Sequence, residues 1–97
     1  MEGLIEGRIV HYVLHKDDVA SITEQRNPIH GQAHGNHVQE GDHVPMMIVK
    51  VWPDEFGKDN PGVNGQCLLD GNDQYWVTSA KYDEGKAHRT WHWIEKA

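Results

Sequence analysis

Aromatic side chains near the end of the chain are the strongest candidates for chemistry, and the chemistry they suggest is recognition. Three of the four tryptophans lie in the blocks 75–79 and 90–93. Aromatic rings stack on planar ligands such as nucleobases, and neighbouring hydroxyl and amide groups supply hydrogen bonds. We therefore predict a ligand-binding surface. Its candidate residues are Arg26, Asn27, Trp52, Tyr75, Trp76, Thr78, Ser79, Trp91 and His92.

Arginine is the residue type that we expect to contact a phosphate group of such a ligand. The candidates are Arg8, Arg26 and Arg89. We favour Arg26, because it lies where a predicted helix opens into a long loop, and from there its side chain can reach a ligand or a second subunit. The alternative for the tryptophans is that they fill the core and a subunit interface.

Histidines form a second group of potentially reactive side chains. His30, His34, His37 and His43 lie in one stretch of 14 residues, where their imidazoles could converge on zinc. Their spacings match no zinc-finger or zincin pattern, and no cysteine accompanies them. A metal-dependent hydrolase would also need a carboxylate base beside an open metal position, and none is clearly placed. We therefore predict no metal site and rank a metal-binding hydrolase last among the functions considered.

No residue pattern predicts covalent catalysis. Ser21 and Ser79 lack a nucleophile-elbow motif, and Cys67 lies in an apolar run rather than in an electropositive cleft. The chain also lacks the glycine-rich phosphate loops of P-loop and dinucleotide-binding proteins. We expect a protein that is not an enzyme and that uses no cofactor.

The elements that position these residues are predicted to be mostly β-strands. Runs rich in β-branched and aromatic residues predict five of them, at 7–14, 46–52, 66–69, 74–79 and 90–94. In the second run, Met47, Val49 and Val51 are expected to share one face of the strand. The glycine and asparagine of segment 70–73 predict a hairpin turn between the third and fourth strands.

One short helix is predicted between the first two strands. Acidic residues in its first turn and apolar residues at Val19 and Ile22 place it over 16–26, and Pro28 ends it. Segment 27–42 is predicted to be a long loop or a weak hairpin. The predicted fold is a single domain over 1–97, mainly β, forming a small, partly open β-barrel or roll of the SH3-like or OB-like size class.

Size and charge restrict the partners. A chain of 97 residues buries a modest fraction of its surface, so we expect a homo-oligomer. The net charge of −6, with only nine lysines and arginines and no basic run, argues against polymeric nucleic acid. No apolar stretch approaches the length of a membrane helix, and the first residues lack a signal-peptide pattern. With a single cysteine, these features predict a cytoplasmic protein without membrane contact.

Four sequence blocks carry a resemblance to a known group. They read RIVHYVL, IVKVW, DGN followed by YWVTS, and TWHW, and together they span nearly the whole chain. In the order and spacing of these blocks the chain resembles a group of short, mostly uncharacterised tailed-bacteriophage proteins. Such proteins usually carry a proline where this chain has Ile94, and the histidine-rich loop is outside the shared pattern. The resemblance implies synthesis in the cytoplasm of a bacterial host.

Two classes of function follow for a small phage protein without a catalytic pattern. The first is a homo-oligomeric binding protein that sequesters a small host molecule, such as a nucleotide-derived immune signal, and so counters antiphage defence. It would stack aromatic side chains on the base and place arginine on the phosphates. The second is a structural or adaptor protein of the virion that docks on another phage protein.

Overall fold

Five β-strands close into a small barrel with one short helix beside it, as the sequence predicted. The computed structural model describes residues 1–31 and 33–95. Its elements are β1 (Ile9–Val13), α1 (Lys16–Gln25), a single 3-10 turn (Pro28–His30), β2 (His43–Trp52), β3 (Gly62–Leu68), β4 (Gln74–Tyr82) and β5 (Thr90–His92). Within the described part of the chain, no helix is long and apolar enough to cross a membrane.

Strand order around the barrel follows the order in the chain, and β5 pairs with β1 to close it. The β1–β2, β2–β3, β3–β4 and β5–β1 pairs are antiparallel, whereas β4 and β5 run parallel. A parallel pair cannot be joined by a tight hairpin, and segment 83–89 connects the two strands. Each of the five strands therefore pairs with a neighbour on both sides.

Apolar side chains from every strand fill the barrel. The fully buried ones of the largest volume are Trp91, Tyr12, Leu14, Ile22, Met46, Ile48, Val10, Val13, Val63 and Cys67. Trp91 is the largest of them, and its ring lies edge-on to the rings of Tyr82 and Trp93, with centroids 4.9 and 5.1 Å away. Edge-to-face geometry of this kind adds to the stabilisation from apolar burial.

One prediction about β2 is wrong because the strand contains a bulge. The pairing of β2 with β3 shifts register between Ile48 and Lys50. The shift breaks the period-two alternation, so Met47 and Val49 are 40% and 44% exposed while Val51 packs against the core. A bulge inserts one residue and changes which face the following residues occupy.

Strand boundaries differ from the predicted ones where glycine or proline lies inside a strand. β2 begins at His43 and includes Pro45, and β3 begins at Gly62 rather than at position 66. Gly65 is needed there because a Cβ atom at this position would lie 2.5 Å from Cγ of Met46. Glycine therefore permits close approach of two strands here instead of marking a loop.

Replacing Trp91 with alanine should lower the free energy of unfolding by about 3–5 kcal/mol, because it leaves a cavity in the barrel. The matched control is Trp76→Ala, which removes a side chain that is 59% exposed and should cost less than about 1 kcal/mol. Urea denaturation followed by circular dichroism measures both values. Equal losses in the two variants would contradict this assignment of the core.

Candidate functional site

A cleft between α1 and β4 brings together three of the predicted ligand-binding residues. Its volume is about 320 Å³, and its walls come from β1, α1, β4 and the segment before β5. The lining residues are Tyr12, Asp17, Asp18, Ser21, Tyr75, Trp76, Val77, Thr78 and Arg89. This volume is at the lower end of the range for small-molecule sites.

The floor of the cleft is organised by the carboxylate of Asp18, which is 6% exposed. The hydroxyls of Tyr12 and Tyr75 each donate to it at 2.8 Å, one to each carboxylate oxygen. The backbone N–H of His15 donates to Oδ2, also at 2.8 Å, as part of the helix N-cap. Three donors compensate the burial of this carboxylate. The Asp18 carboxylate therefore joins the helix to β1 and β4.

Both tyrosines on Asp18 are held in their neutral, hydrogen-donating form. Burial, followed by the hydrogen bond to Asp18, raises the pKa of Tyr75 to about 12. The same causes raise the pKa of Tyr12 well above its ordinary value. Each hydroxyl is consequently committed to the carboxylate at neutral pH.

Trp76 is turned away from this floor because successive strand residues alternate in direction. Its side chain is 59% exposed, the highest value among the exposed tryptophans of the described chain, whereas Tyr75 before it is partly buried against the core. Thr78 is exposed on the same strand two residues later. An exposed indole and a hydroxyl thus lie at one side of the cleft.

Arg89 supplies the cationic group of the cleft. It adopts a left-handed backbone conformation with φ of 73°. Its NH2 group donates to Oδ2 of Asp17 at 2.8 Å and lies 3.0 Å from Nδ1 of His15. The side chains of Arg89 and Asp17 are both exposed, so their ion pair is weak, and another anion can replace Asp17 as the partner of Arg89.

Arg26 and Asn27, which we predicted as ligand contacts, line a different cavity of about 520 Å³, beside the end of α1, and both have structural partners. Arg26 donates from Nε and NH2 to both carboxylate oxygens of Asp73, and from NH1 to the carbonyl of Asn36 at 2.6 Å. Asn27 accepts from the backbone N–H of Ile29 and so caps the 3-10 turn. These bonds attach the end of α1 and the following loop to the β3–β4 turn.

Trp52 and Ser79 lie outside the cleft. Trp52 ends β2 and is 45% exposed, with Nζ of Lys50 at 4.9 Å from its ring centroid. Ser79 donates its hydroxyl to Glu55 and its backbone N–H to Asn64. Neither residue lines the cavity that contains Trp76.

Trp91 and His92 are buried, so the prediction that they form a binding surface is corrected. Trp91 has no exposed surface, and His92 is 2% exposed beneath Glu95. The alternative interpretation, in which a tryptophan belongs to the core, is the one that holds for Trp91. Cys67 is also in the core, and burial raises the pKa of its thiol to about 12, so it is not ionised at neutral pH.

Sequence reasoning missed the part that Tyr12 and Asp18 play in the cleft. An aspartate in the first turn of a helix is ordinarily read as a favourable interaction with the helix dipole. The one available signal was Asp18 at the third helical position after His15, the spacing of a capping box. No protein-family model, curated protein sequence or solved structure gives a significant match to this chain.

The Arg26–Asp73 ion pair makes the free energy of unfolding depend on pH in the acidic range. The guanidinium holds the pKa of Asp73 below its ordinary value, so the native protein binds this proton more weakly than the unfolded chain does. The pair stabilises the fold fully above the unfolded-state pKa of about 3.9, and the stabilisation is lost as the pH falls through the lower native pKa. Asp73→Asn should therefore cost about 1–3 kcal/mol at pH 7.

The difference in unfolding free energy between wild type and Asp73→Asn should shrink as the pH falls below about 4. Chemical denaturation at a series of pH values measures it. Glu84→Gln, at an exposed position, is the charge-matched control and should change stability little across this range. A difference for Asp73→Asn that is constant from pH 7 to pH 2 would contradict the assigned ion pair.

Proposed function

We propose that this protein binds a small nucleotide-derived molecule in the cleft between α1 and β4 and retains it without chemical change. The observation that carries the proposal is the presence of an exposed indole, a hydroxyl and a guanidinium on one cavity: Trp76, Thr78 and Arg89. These are the groups that stack on a base, hydrogen-bond to it and contact a phosphate.

The size and charge of the cleft indicate how such a ligand lies. A cavity of about 320 Å³ accommodates a base with its ribose rather than a whole dinucleotide. The carboxylates of Asp17 and Asp18 disfavour a phosphate deep in the cleft, so the phosphate lies at the rim. There it replaces Asp17 as the partner of Arg89, whose present ion pair is exposed.

The proposed activity is sequestration. The carboxylate of Asp18 has three hydrogen-bond donors, and the two tyrosines are held neutral, which suits a rigid binding floor better than proton transfer. With the resemblance to tailed-phage proteins, this supports a role in the host cytoplasm. There a homo-oligomer of this chain would remove a nucleotide immune signal and so block an antiphage defence.

Native mass spectrometry of the protein with a panel of nucleoside monophosphates, cyclic dinucleotides and ADP-ribose derivatives tests the proposal. The wild type should retain one panel member at a fixed ratio per subunit. Trp76→Ala should weaken that binding by about 1–3 kcal/mol, roughly 5- to 150-fold, because it removes the stacking surface. Arg89→Gln should weaken binding of the phosphorylated ligand and leave the corresponding nucleoside unaffected.

Trp52→Ala is the matched control, because it removes another exposed tryptophan that lies outside the cleft. It should bind as the wild type does. Failure of the wild type to retain any panel member, or equal loss of binding in the two tryptophan variants, would overturn the proposed site.

A virion adaptor is the second candidate, and one surface favours it. The strand register places Ile9, Met47, Gln66 and Trp76 in one row across β1 to β4. Met47 and Trp76 are 40% and 59% exposed, an apolar arrangement that suits contact with another protein. Mass spectrometry of purified particles distinguishes this candidate, since a sequestering protein should be absent from them and an adaptor present in fixed copy number.

A further inference from the structure

Three histidines from three strands converge on one carboxylate oxygen on the outer face of the barrel. The oxygen is Oε1 of Glu95, and it lies 2.5 Å from Nδ1 of His43, 2.6 Å from Nε2 of His92 and 3.7 Å from Nδ1 of His11. The potential ligand atoms of His11, His92 and Glu95 all lie within 4.8 Å of one another, and His43 is linked to this group of three through its contact with Oε1 of Glu95.

Barrel closure produces this convergence from distant parts of the sequence. His11 of β1 is the register partner of His92 of β5, and β2 brings His43 to the other side of β1. The chain after β5 then folds back so that Glu95 reaches all three imidazoles. The rings of His11 and His43 both stand edge-on to the ring of His92, with centroids 5.8 and 5.0 Å away.

Two buried imidazole nitrogens of the group have no hydrogen-bond partner among the described residues. Among the described residues, Nδ1 of His11 is buried and has no hydrogen-bond partner, although it faces Glu95 at 3.7 Å. Nδ1 of His92 is also buried without a partner in this part of the chain. Buried polar atoms nearly always have a hydrogen-bond partner, and the binding of an ion is one recognised reason for an exception.

We propose that His11, His43, His92 and Glu95 form a zinc site. Imidazole nitrogen and carboxylate oxygen are the ligand set that Zn²⁺ accepts in tetrahedral geometry. Tetrahedral ligands with metal bonds of 2.0–2.1 Å lie about 3.3 Å apart, close to the separation between His11 and Glu95. The ion takes the position near Oε1 on which the three nitrogens converge, and the carboxylate moves outward to become the fourth ligand.

The contacts of the Glu95 carboxylate fit the role of a zinc ligand. Oε1 of Glu95 already contacts Nε2 of His92 and Nδ1 of His43, so the carboxylate lies where the nitrogens of the group meet. Nζ of Lys86 lies 3.7 Å from Oε2 of Glu95, and its positive charge would repel a zinc ion. The Lys86 side chain is partly exposed, so it can turn away into solvent.

A zinc ion with four protein ligands has no open coordination position, so the site is structural rather than catalytic. The ion would join β1, β2 and β5 and fasten the chain after β5 to the outside of the barrel. The zinc site uses no residue of the cleft between α1 and β4, so zinc binding and ligand binding in the cleft can be tested independently. Of the grouped histidines whose side chains the structure describes, His34, His37 and His43, the last takes part in the site.

Titration of zinc sulfate into protein purified without a histidine tag tests the site, with isothermal calorimetry and native mass spectrometry as readouts. The wild type should bind one zinc ion per chain and gain thermal stability. His43→Ala and Glu95→Gln should each weaken zinc binding by at least about tenfold. Cobalt(II) in place of zinc should give the visible absorption typical of tetrahedral coordination.

His37→Ala is the matched control, because it removes an exposed loop histidine away from the cluster and should bind zinc as the wild type does. Circular dichroism checks that Glu95→Gln and His43→Ala remain folded; both replace partly exposed side chains. A wild type that binds no zinc, or equal weakening in His37→Ala and the cluster variants, would overturn the site.

Discussion

The burial of one carboxylate, that of Asp18, determines how the helix and the barrel fit together. A buried charge is costly unless hydrogen bonds compensate it, and here the hydroxyls of Tyr12 and Tyr75 and the N-cap backbone of the helix supply them. Because Tyr75 is held against Asp18, strand alternation turns Trp76 toward solvent. The cleft and its exposed indole are thus consequences of satisfying this carboxylate.

Closure of the barrel by β5 is the second constraint, and it connects features that are far apart in the chain. Trp91 of this short strand fills the interior, while His92 beside it faces outward toward β1. The same pairing therefore supplies both the core and the histidine cluster beneath Glu95. The cleft lies against α1 and β4, so the cleft and the histidine cluster are separate regions of the molecule.

Local patterns were sufficient to predict the fold class and most elements, because strand alternation, turn glycines and helix-capping residues act over a few positions. Tyr75, Trp76 and Thr78 lie together in the structure for the same reason: they belong to one strand and line one cleft. The bulge after Ile48 could not be predicted, because it depends on pairing with β3 rather than on the sequence of β2.

Long-range partners account for the errors in the predicted site. The ion pair of Arg26 could not be predicted, because its partner, Asp73, lies 47 residues away in the chain. The convergence of His11, His43 and His92 depends on barrel closure, so sequence proximity instead grouped His43 with loop histidines. Trp91 and Trp76 are indistinguishable by residue type, and only the register of the closed barrel separates a core side chain from an exposed one.

The central claim, that Trp76 is the ligand-facing tryptophan of the cleft, is tested most directly by nuclear magnetic resonance. Indole N–H signals of the four tryptophans, assigned by single substitutions, would be followed while a mixture of nucleoside monophosphates, cyclic dinucleotides and ADP-ribose derivatives is added. We expect the Trp76 signal to shift in a saturable manner while those of Trp52 and Trp91 stay in place. An unmoved Trp76 signal, or a larger shift at Trp52, would contradict the account.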